Sequence, residues 1–352
     1  MDALDNRCPA CGASIKFNPK NQKWDCEYCG EKFTLEEMKK FNNASNEKNK
    51  TSDKKKMDKL DLDVYRCESC GAELMADETT TATFCVYCGN TAILKEKIHK
   101  GIAPTQIIPF KNVKEDAVKE FQKLHKGRPL MPKLFNDPKN IEKITGVYIP
   151  FWTYDLKLDG NISYNGVDVK TWSSGNYQYT KTDTYLSKRN GSMEFSKILV
   201  DASSRFDDDL MDSIEPFKFD GLEEYNHAYL SGFLAEKYDV DIDKAMERAT
   251  YRAKNTAESE VAKTVHHQTK SVISNEMKTT KLGDDHILLP VWMVNIKYKD
   301  KNYTFAMNGQ TGKIVGNIPI DVGKAIFMSI FLFILFTVIA FIVLKVILWE
   351  SI

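Results

Sequence analysis

Two stretches share one cysteine spacing and decide how the N-terminal part of the chain folds: RCPACGASIKFNPKNQKWDCEYCG at residues 7–30 and RCESCGAELMADETTTATFCVYCG at residues 66–89. Each consists of CxxC, fourteen intervening residues and a second CxxC, and the two copies align without a gap. All eight cysteines of the chain fall in these copies. The shared spacing indicates an internal duplication.

This spacing is typical of metal ligands. Two CxxC knuckles bring four thiolates to one ion, and a glycine after the second cysteine allows the positive φ that turns backbone N–H groups toward the sulfur atoms. Four protein ligands leave no position for water, so such an ion is structural. We therefore predict two zinc ribbons, each holding one structural Zn²⁺, with these ligands: Cys8, Cys11, Cys26 and Cys29 in the first, and Cys67, Cys70, Cys85 and Cys88 in the second.

A disulfide framework is the alternative interpretation of eight cysteines, and it would require an oxidising compartment. Residues 1–7 contain two aspartates and no apolar run, so we expect no secretory signal peptide. The thiols are then expected to stay reduced in the cytoplasm and to bind metal.

The C-terminal part contains twenty residues without a charge, AIFMSIFLFILFTVIAFIVL at 325–344. As a helix this segment would be about 30 Å long, which is the hydrocarbon thickness of a bilayer. A buried core helix should have a polar face, but only Ser329 and Thr337 interrupt the apolar run. The sequence therefore predicts one transmembrane helix, within residues 324–349.

The orientation of this span is inferred from the thiols. Lys324 and Lys345 flank both ends of the apolar segment, so the distribution of basic residues does not decide it. Reduced metal thiolates favour the cytoplasmic side. We expect a single-pass protein of the inner membrane, with the N-terminal bulk in the cytoplasm.

Composition and periodicity predict an α+β fold: two N-terminal zinc ribbons, a mixed antiparallel β-sheet domain with a long helix, and a C-terminal transmembrane helix. The segment between the two ribbons is rich in Lys, Asn, Ser and Asp, and so cannot bury much surface. The predicted units are a first zinc ribbon at 1–38, a flexible polar linker at 39–60, a second zinc ribbon at 61–98, a cytoplasmic α+β domain at 99–320 and a transmembrane helix at 324–349.

Within the α+β domain, a short helix is predicted at 113–126 and a long helix within 229–274, where apolar residues recur at helical spacing. Strands are predicted at 287–299 and 302–307. Runs of alternating residues, rich in aromatic and β-branched side chains, predict an antiparallel meander over 146–203. Turns are predicted between these runs at Asp159-Gly160, Asn165-Gly166 and Asn190-Gly191.

Two short motifs echo each other, YIPFW at 148–152 and LLPVW at 288–292. We expect each to start a strand, since proline is tolerated there, and the two strands to be equivalent in a pseudo-repeated sheet. The tryptophans are then expected in the core. A binding groove lined by Trp152, Trp172 and Trp292 is the alternative.

Signals for an enzyme are absent from the sequence. NGQTGK at 308–313 has only two residues between its glycines and is followed by isoleucine, so it is not a phosphate loop and is predicted to be a hairpin turn. The six histidines are scattered, and no cysteine is left as a nucleophile. We predict no catalytic residues, no small-molecule substrate and no enzymatic activity.

A membrane-tethered nucleic-acid-binding protein remains an alternative function, because some zinc ribbons bind nucleic acid. The chain has 49 basic and 49 acidic residues, so its net charge does not favour this partner. The first ribbon has Lys16, Lys20, Lys23 and Trp24, whereas the second has acidic residues and no lysine between its knuckles. A nucleic-acid surface shared by both ribbons is therefore not expected.

Several motifs together resemble a bacterial family of TFIIB-type zinc-ribbon membrane proteins, the YdjG-like proteins. They are the duplicated RCxxCGA and CxYCG knuckles, YIPFW at 148–152, YLSGFLAEKY at 229–238 and NGQTGK at 308–313. The resemblance covers nearly the whole chain, and it carries over only the eight cysteines as assigned residues. Members are often labelled as replication-restart helicases, whose motor motif this sequence lacks.

The resemblance implies a membrane-anchored partner of an SPFH-domain protein and a phage-shock-type protein in the envelope-stress response. From it and from the residues we expect an adaptor: the ribbons and the β domain bind protein partners, and the C-terminal span holds them at the membrane.

Overall fold

A computed structural model describes residues 7–46, 63–76, 85–87, 93–96 and 104–350 of the 352-residue chain. Cys88 and most of the segment predicted as a linker lie outside these residues.

The described elements confirm an α+β protein with a mixed sheet. The N-terminal ones are β1 (Ile15–Asn18), β2 (Lys23–Cys26), β3 (Lys32–Phe33), α1 (Leu35–Asn46), β4 (Asp63–Cys67), β5 (Glu73–Ala76) and β6 (Ile93–Glu96). The central ones are β7 (Gln106–Ile107), α2 (Lys114–Lys126), α3 (Pro138–Ile141), β8 (Thr145–Ser174), β9 (Tyr177–Asp201), α4 (Asp208–Ile214), β10 (Glu223–Glu224) and β11 (Leu234–Glu236). The last are α5 (Ile242–Ala262), β12 (Thr269–Asn275), β13 (Lys278–Tyr298), β14 (Lys301–Asn308), β15 (Ile314–Gly316) and α6 (Val322–Glu350).

Helix α1 continues to Asn46, so the predicted linker does not begin at residue 39. A capping box starts the helix: the N–H of Thr34 donates to Glu37 Oε2 at 2.8 Å, and the N–H of Glu37 donates to Thr34 Oγ1 at 3.3 Å. Met38 is fully buried on its inner face. The capping box and the buried side chain of Met38 together stabilise a helix whose later residues are polar. The composition of those later residues does not by itself predict a helix.

The two cysteine-rich parts join the fold differently. The first cysteine unit, residues 7–33, has its own sheet of β1, β2 and β3. The second cysteine unit, which comprises the described residues of 63–96, adds β6, β4 and β5 to the edge of the large sheet. There β5 pairs antiparallel with β11, and β11 pairs parallel with β8. The second unit is therefore continuous with the main sheet.

The region predicted as a meander is one long hairpin of β8 and β9. The strands turn at residues 175–176, and the three predicted turns are wrong: their residues are paired inside the strands, as in Gly160 with Gly191 and Gly166 with Tyr185. Gly160 and Gly166 allow close approach of neighbouring groups instead of chain reversal. A Cβ on Gly166 would lie 2.1 Å from Cδ2 of His267, so the imidazole occupies that space.

Helix α5 packs on this hairpin as predicted, but it is shorter than the predicted segment of 229–274. It ends at Ala262, and residues 269–275 form β12, which pairs with β8. Its small inward face lets the sheet aromatics lie close to the helix backbone, and they donate to it: Tyr154 Oη to the carbonyl of Ile242 at 2.5 Å and Tyr164 Oη to that of Glu258 at 2.8 Å. The buried face consists of Ala245, Ala249, Ala253 and Ala257.

The two proline–tryptophan motifs lie on adjacent antiparallel strands, with Pro150 opposite Leu288 and Pro290 opposite Tyr148. Both prolines lie inside strands and not at strand starts. Their carbonyls are hydrogen-bonded: Pro150 accepts from the N–H of Ala202 at 2.9 Å and Pro290 from that of Gly309 at 2.8 Å. Trp152 and Trp292 are in the core as predicted. Trp172 is 49% exposed at the hairpin tip, so the three tryptophans form no common groove.

Helix α6 contains a stretch, Val322–Lys345, that is long and apolar enough to cross a membrane. The most apolar part of this stretch is not buried against the rest of the described chain. Its first turn is bound to the α+β domain. The N–H of Asp321 donates to the carbonyl of Leu130 at 2.8 Å, and Lys324 Nζ donates to that of Met131 at 2.6 Å. The start of the apolar helix is therefore held in a defined position.

Candidate metal centres

The four cysteines of the first unit form a group that could hold a metal ion. The Sγ atoms of Cys8, Cys11, Cys26 and Cys29 all lie within 4.8 Å of one another. Two of the Sγ–Sγ distances are 3.6 Å, Cys8 to Cys29 and Cys11 to Cys26. A tetrahedral zinc site with bonds of about 2.3 Å has sulfurs about 3.8 Å apart, whereas a disulfide bond is about 2.05 Å long. The thiols are free and fit a tetrahedral ion.

The second unit repeats this arrangement for the ligands that the structure describes. Cys67, Cys70 and Cys85 lie within 4.8 Å of one another, and Sγ of Cys70 is 3.6 Å from Sγ of Cys85. The fourth predicted ligand, Cys88, is outside the described residues. The described cysteines of the two groups have the same pattern of burial: the first cysteine of each knuckle is buried, and the second is exposed in the three knuckles that the structure describes in full.

The three knuckle glycines that the structure describes have the predicted conformation. Gly12, Gly30 and Gly71 have φ of +74°, +78° and +71°. Each donates its N–H to the carbonyl of the first cysteine of its knuckle, at 2.8, 2.9 and 2.8 Å respectively. The first cysteine in turn donates to the residue after the glycine, at 2.7 to 2.9 Å. Three knuckles thus share one turn, which confirms the positive φ inferred from the sequence.

Backbone N–H groups also act on the sulfurs. The N–H groups of Cys29 and Tyr28 lower the pKa of the Cys26 thiol to about 7, against the effect of desolvation. The pKa of Cys29 rises to about 12: the N–H of Glu31 lowers it, but desolvation and the neighbouring thiols outweigh that donor. Four adjacent thiols therefore do not ionise together unaided, and a bound divalent cation would supply the charge that keeps all four as thiolates.

The first unit is bound to the α+β domain through Trp24, which is 1% exposed. Its indole Nε1 donates to the carbonyl of Ala228 at 2.8 Å. The rings of Phe17, Trp24 and Tyr229 pack with centroids 5.0 to 5.2 Å apart. Trp24 was the aromatic candidate for stacking on nucleic acid, and its burial removes it from the surface.

Arg205 holds the second unit. Its Nη2 donates to the carbonyl of Gly71 at 2.9 Å and its Nη1 to that of Cys70 at 3.3 Å, both in the knuckle itself. The guanidinium also lies over the ring of Tyr87, 5.9 Å from its centroid, and Tyr87 packs on Phe206 at 5.2 Å. Arg205 and Phe206 thus bind the second unit through its first knuckle and Tyr87.

A buried carboxyl group lies beside Arg205 and helps to position it. Glu236, 1% exposed, lies 3.4 Å from Nε of Arg205 and accepts from Ser203 Oγ at 2.8 Å. Burial raises the pKa of Glu236 to about 7, although the hydrogen bond from Ser203, the nearby hydroxyl of Tyr87 and the charge of Arg205 lower it. The carboxyl therefore depends on these partners for its place in the core.

The segment YLSGFLAEKY at 229–238 contacts both cysteine units. Tyr229 packs on Trp24, and the carbonyl of Ser231 accepts from the N–H of Phe17 at 3.2 Å. A few residues later, Ala235 and Glu236 pair with β5 of the second unit. One continuous segment therefore positions both candidate metal centres, a role that no local pattern in the sequence indicates.

The NGQTGK motif forms the predicted hairpin turn and also ties down a neighbouring loop. Asn308 Oδ1 accepts from the N–H groups of Gln310 and Thr311, both at 2.9 Å. The side chain of Gln310 bonds both the N–H and the carbonyl of Lys218 at 2.7 Å. The motif is thus a structural clamp.

Sequence reasoning missed a contact between three polar residues of the hairpin. Ser187 Oγ lies 3.2 Å from Nε2 of His267, and Nδ1 of the same ring lies 3.0 Å from Asp168 Oδ2. This is the bonding order of a serine hydrolase triad. However, the ring is stacked on Tyr185 and seated over Gly166, and Asp168 also accepts from the N–H of Gln268. These contacts fasten the segment after α5 to the hairpin.

Comparison with known proteins identifies a full-length relative. The chain is 35% identical over 322 residues to the uncharacterized protein YdjG of Bacillus subtilis (strain 168), which covers 91% of this chain and 92% of that protein. No protein-family profile matches the chain. No solved structure matches it either.

Proposed function

The chain belongs to the family of Bacillus subtilis YdjG, and on that premise we propose that it is a membrane-anchored adaptor. Its two cysteine units act as zinc ribbons, each with a structural Zn²⁺, and they recruit or organise protein partners. The C-terminal helix α6 anchors the protein in the inner membrane, with the N-terminal bulk in the cytoplasm. The partners implied by the resemblance are an SPFH-domain protein and a phage-shock-type protein of the envelope-stress response.

One observation carries this proposal: the duplicated units use equivalent tyrosines differently. Tyr87 of the second unit is gripped by Arg205 and Phe206 of the same chain. Tyr28 occupies the matching position in the first unit and is 83% exposed. The first unit therefore presents to solvent the same kind of surface that the second unit uses for an intramolecular contact.

This equivalence indicates the chemistry of the partner. The outer residues of the first unit, Cys11, Gly12 and Tyr28, are exposed. They correspond to Cys70, Gly71 and Tyr87, which receive an arginine on two carbonyls and an aromatic ring on the tyrosine. We expect the partner to supply an arginine beside an aromatic residue, as Arg205 and Phe206 do. Such residues are common energetic centres of protein interfaces.

The fixed geometry of the chain supports a role at the membrane. Both units contact residues 229–238 of the α+β domain. The start of α6 is hydrogen-bonded to the carbonyls of Leu130 and Met131 in the same domain. A partner on the first unit would be confined near the anchor, and confinement raises its effective concentration for other membrane-bound proteins. No catalytic step is needed for this function.

The experiment is affinity purification of the full-length protein from gently solubilised membranes, followed by mass spectrometry and zinc analysis. Tyr28→Ala is expected to keep both zinc ions and to bind the partner at least about tenfold more weakly. Replacing the first four cysteines by serine should lose zinc and partner together. Tyr251→Ala is the matched control, since Tyr251 is 67% exposed on α5.

Two results would contradict the proposal. Equal partner recovery with wild type and Tyr28→Ala would remove the first unit as the contact. Recovery of nucleic acid or replication proteins would favour the alternative of a membrane-tethered nucleic-acid-binding protein. Two features of the first unit disfavour that alternative: Trp24 is buried, and Lys16 Nζ pairs with Glu27 at 2.9 Å.

A further inference from the structure

The outer edge of β9 is open. Within the described part of the chain, β9 pairs with β8 from residue 177 to 201, apart from an irregularity at 196–197, and with no other strand. Residues 178–182 are exposed on both faces of the hairpin. An open edge of this length presents unpaired backbone N–H and C=O groups, which readily pair with another strand. The edge therefore needs either protection or a partner.

The sequence of this edge is self-complementary. Residues 179–185 read YTKTDTY, a palindrome about Thr182 in which the lysine and the aspartate exchange places. If a second copy pairs antiparallel about a two-fold axis at Thr182, Tyr179 lies opposite Tyr185, Thr180 opposite Thr184 and Lys181 opposite Asp183. A two-fold interface requires this kind of self-complementary surface.

The charges of the hairpin favour the same pairing. In the single chain, like charges lie directly opposite each other: Lys170 opposite Lys181, and Asp168 opposite Asp183. Opposed like charges destabilise a strand pair. In the two-fold arrangement Lys181 of one copy lies opposite Asp183 of the other. The pair of lysines in one copy therefore lies beside the pair of aspartates in the other. Lys181 and Asp183, now 2.9 Å apart within one strand, would then also bridge the two copies.

The aromatic residues extend the match. Trp172 stacks on Tyr179 with centroids 5.6 Å apart, and Tyr185 stacks on His267 at 4.8 Å. Tyr179 and Tyr185 are each 45% exposed. The two-fold axis would place Tyr179 of one copy beside Tyr185 of the other, and aromatic cross-strand pairs stabilise sheets. Both exposed tyrosine faces would then be covered.

We propose that two copies of this protein pair through antiparallel β9 strands with Thr182 on the two-fold axis. The occupant of the open edge is a second copy of the chain, selected by the charge pattern of residues 181 and 183. This goes beyond the adaptor function and does not depend on it. A dimer would carry two first cysteine units and two membrane helices, which makes its binding bivalent.

Charge reversal tests the pairing on full-length chains with two different tags, co-expressed and solubilised in detergent. Lys181→Asp and Asp183→Lys each place like charges opposite each other, so each variant alone should copurify with itself about tenfold less than wild type. Co-expression of the two variants restores opposite charges at both positions and should restore copurification. Lys188→Asp is the matched control on the same strand. The rescue also shows that both variants are folded.

Cysteine cross-linking tests the register. Two residues at position 182 would have Cα atoms about 4.5 to 5.5 Å apart, within the range of a disulfide. Thr182→Cys should therefore give a disulfide-linked dimer. Thr180→Cys should not, because two residues at position 180 would lie about 13 Å apart along the strands. Wild type shows the background from the native cysteines.

The proposal is overturned if differently tagged wild-type chains do not copurify. It is also overturned if both charge variants copurify as well as wild type, or if the mixed pair is not rescued. Cross-linking by Thr180→Cys in preference to Thr182→Cys would exclude this register. None of these results depends on partner capture by Tyr28, so failure of the dimer and failure of the adaptor are distinguishable.

Discussion

At the scale of residues, position in a duplicated sequence does not decide the role of a side chain. Tyr28 and Tyr87 match in sequence, but one is 83% exposed and the other packs on Phe206. His267 likewise carries no signal in the sequence. Its ring occupies the space that Gly166 leaves empty, and it bonds Ser187 and Asp168.

The role of His267 as a fastener can be tested by glycine substitution. Gly166→Ala would place a Cβ 2.1 Å from the ring, and overpacking of this kind costs about 1 to 3 kcal/mol. Gly191→Ala is the matched control in the same hairpin, because nothing lies within 4 Å of its added Cβ. Thermal unfolding in detergent should show a lower melting temperature for Gly166→Ala than for Gly191→Ala.

The same contact also bears on catalysis. A structural Ser187 should not react with a fluorophosphonate probe, and Ser187→Ala should cost about 1 kcal/mol, the loss of one hydrogen bond. Probe labelling of wild type that disappears in Ser187→Ala would show that the triad-like order is functional.

At the scale of elements, charged side chains join α5 to α4 and to the end of β9. Arg248 of α5 bonds Asp201 and lies 3.0 Å from Asp208 and 2.9 Å from Asp212. Asp201 is buried, and burial raises its pKa from 3.8 to about 6 although Arg248 lowers it. The fold therefore depends on an arginine that compensates a buried carboxylate.

This network predicts a defined stability change. Arg248→Met leaves Asp201 without its partner and should cost about 3 kcal/mol in the free energy of unfolding. Adding Asp201→Asn removes the buried charge and should recover most of that loss. Because the folded state holds the Asp201 proton more tightly than the unfolded state, this group makes stability fall as the pH rises from about 4 to about 6. Asp201→Asn should flatten that dependence, and equal pH profiles would contradict it.

At the scale of the whole molecule, the two cysteine units, the mixed sheet and the start of α6 form one connected body. Recruitment by proximity therefore predicts that a chain ending at Asp321 stays folded and still binds its partner through the first unit. Fractionation of cells should find that partner in the soluble fraction with the shortened chain and at the membrane with the full chain. If the shortened chain supported partner function in cells as well as the full chain does, the anchor would not serve recruitment.

Features that depend on neighbouring residues could be predicted from sequence. The cysteine spacing implied two thiol clusters, the glycines implied their positive φ, the uncharged run implied α6, and NGQTGK implied a turn. Each follows from backbone geometry or solvation over a few residues. The turns predicted inside β8 and β9 were wrong because they were inferred from local preference alone. Asn-Gly and Asp-Gly favour chain reversal locally, but strand pairing and packing over the whole hairpin outweigh that preference.

Long-range contacts decided the rest. The seat of both cysteine units on residues 229–238, the grip of Arg205 on the second knuckle and the open edge of β9 all join segments that are distant along the chain. No local pattern encodes such contacts, because their energy comes from surfaces that exist only after the chain has folded. Sequence thus identified the chemistry of the candidate metal centres, and tertiary packing determined which of their described surfaces are exposed to solvent.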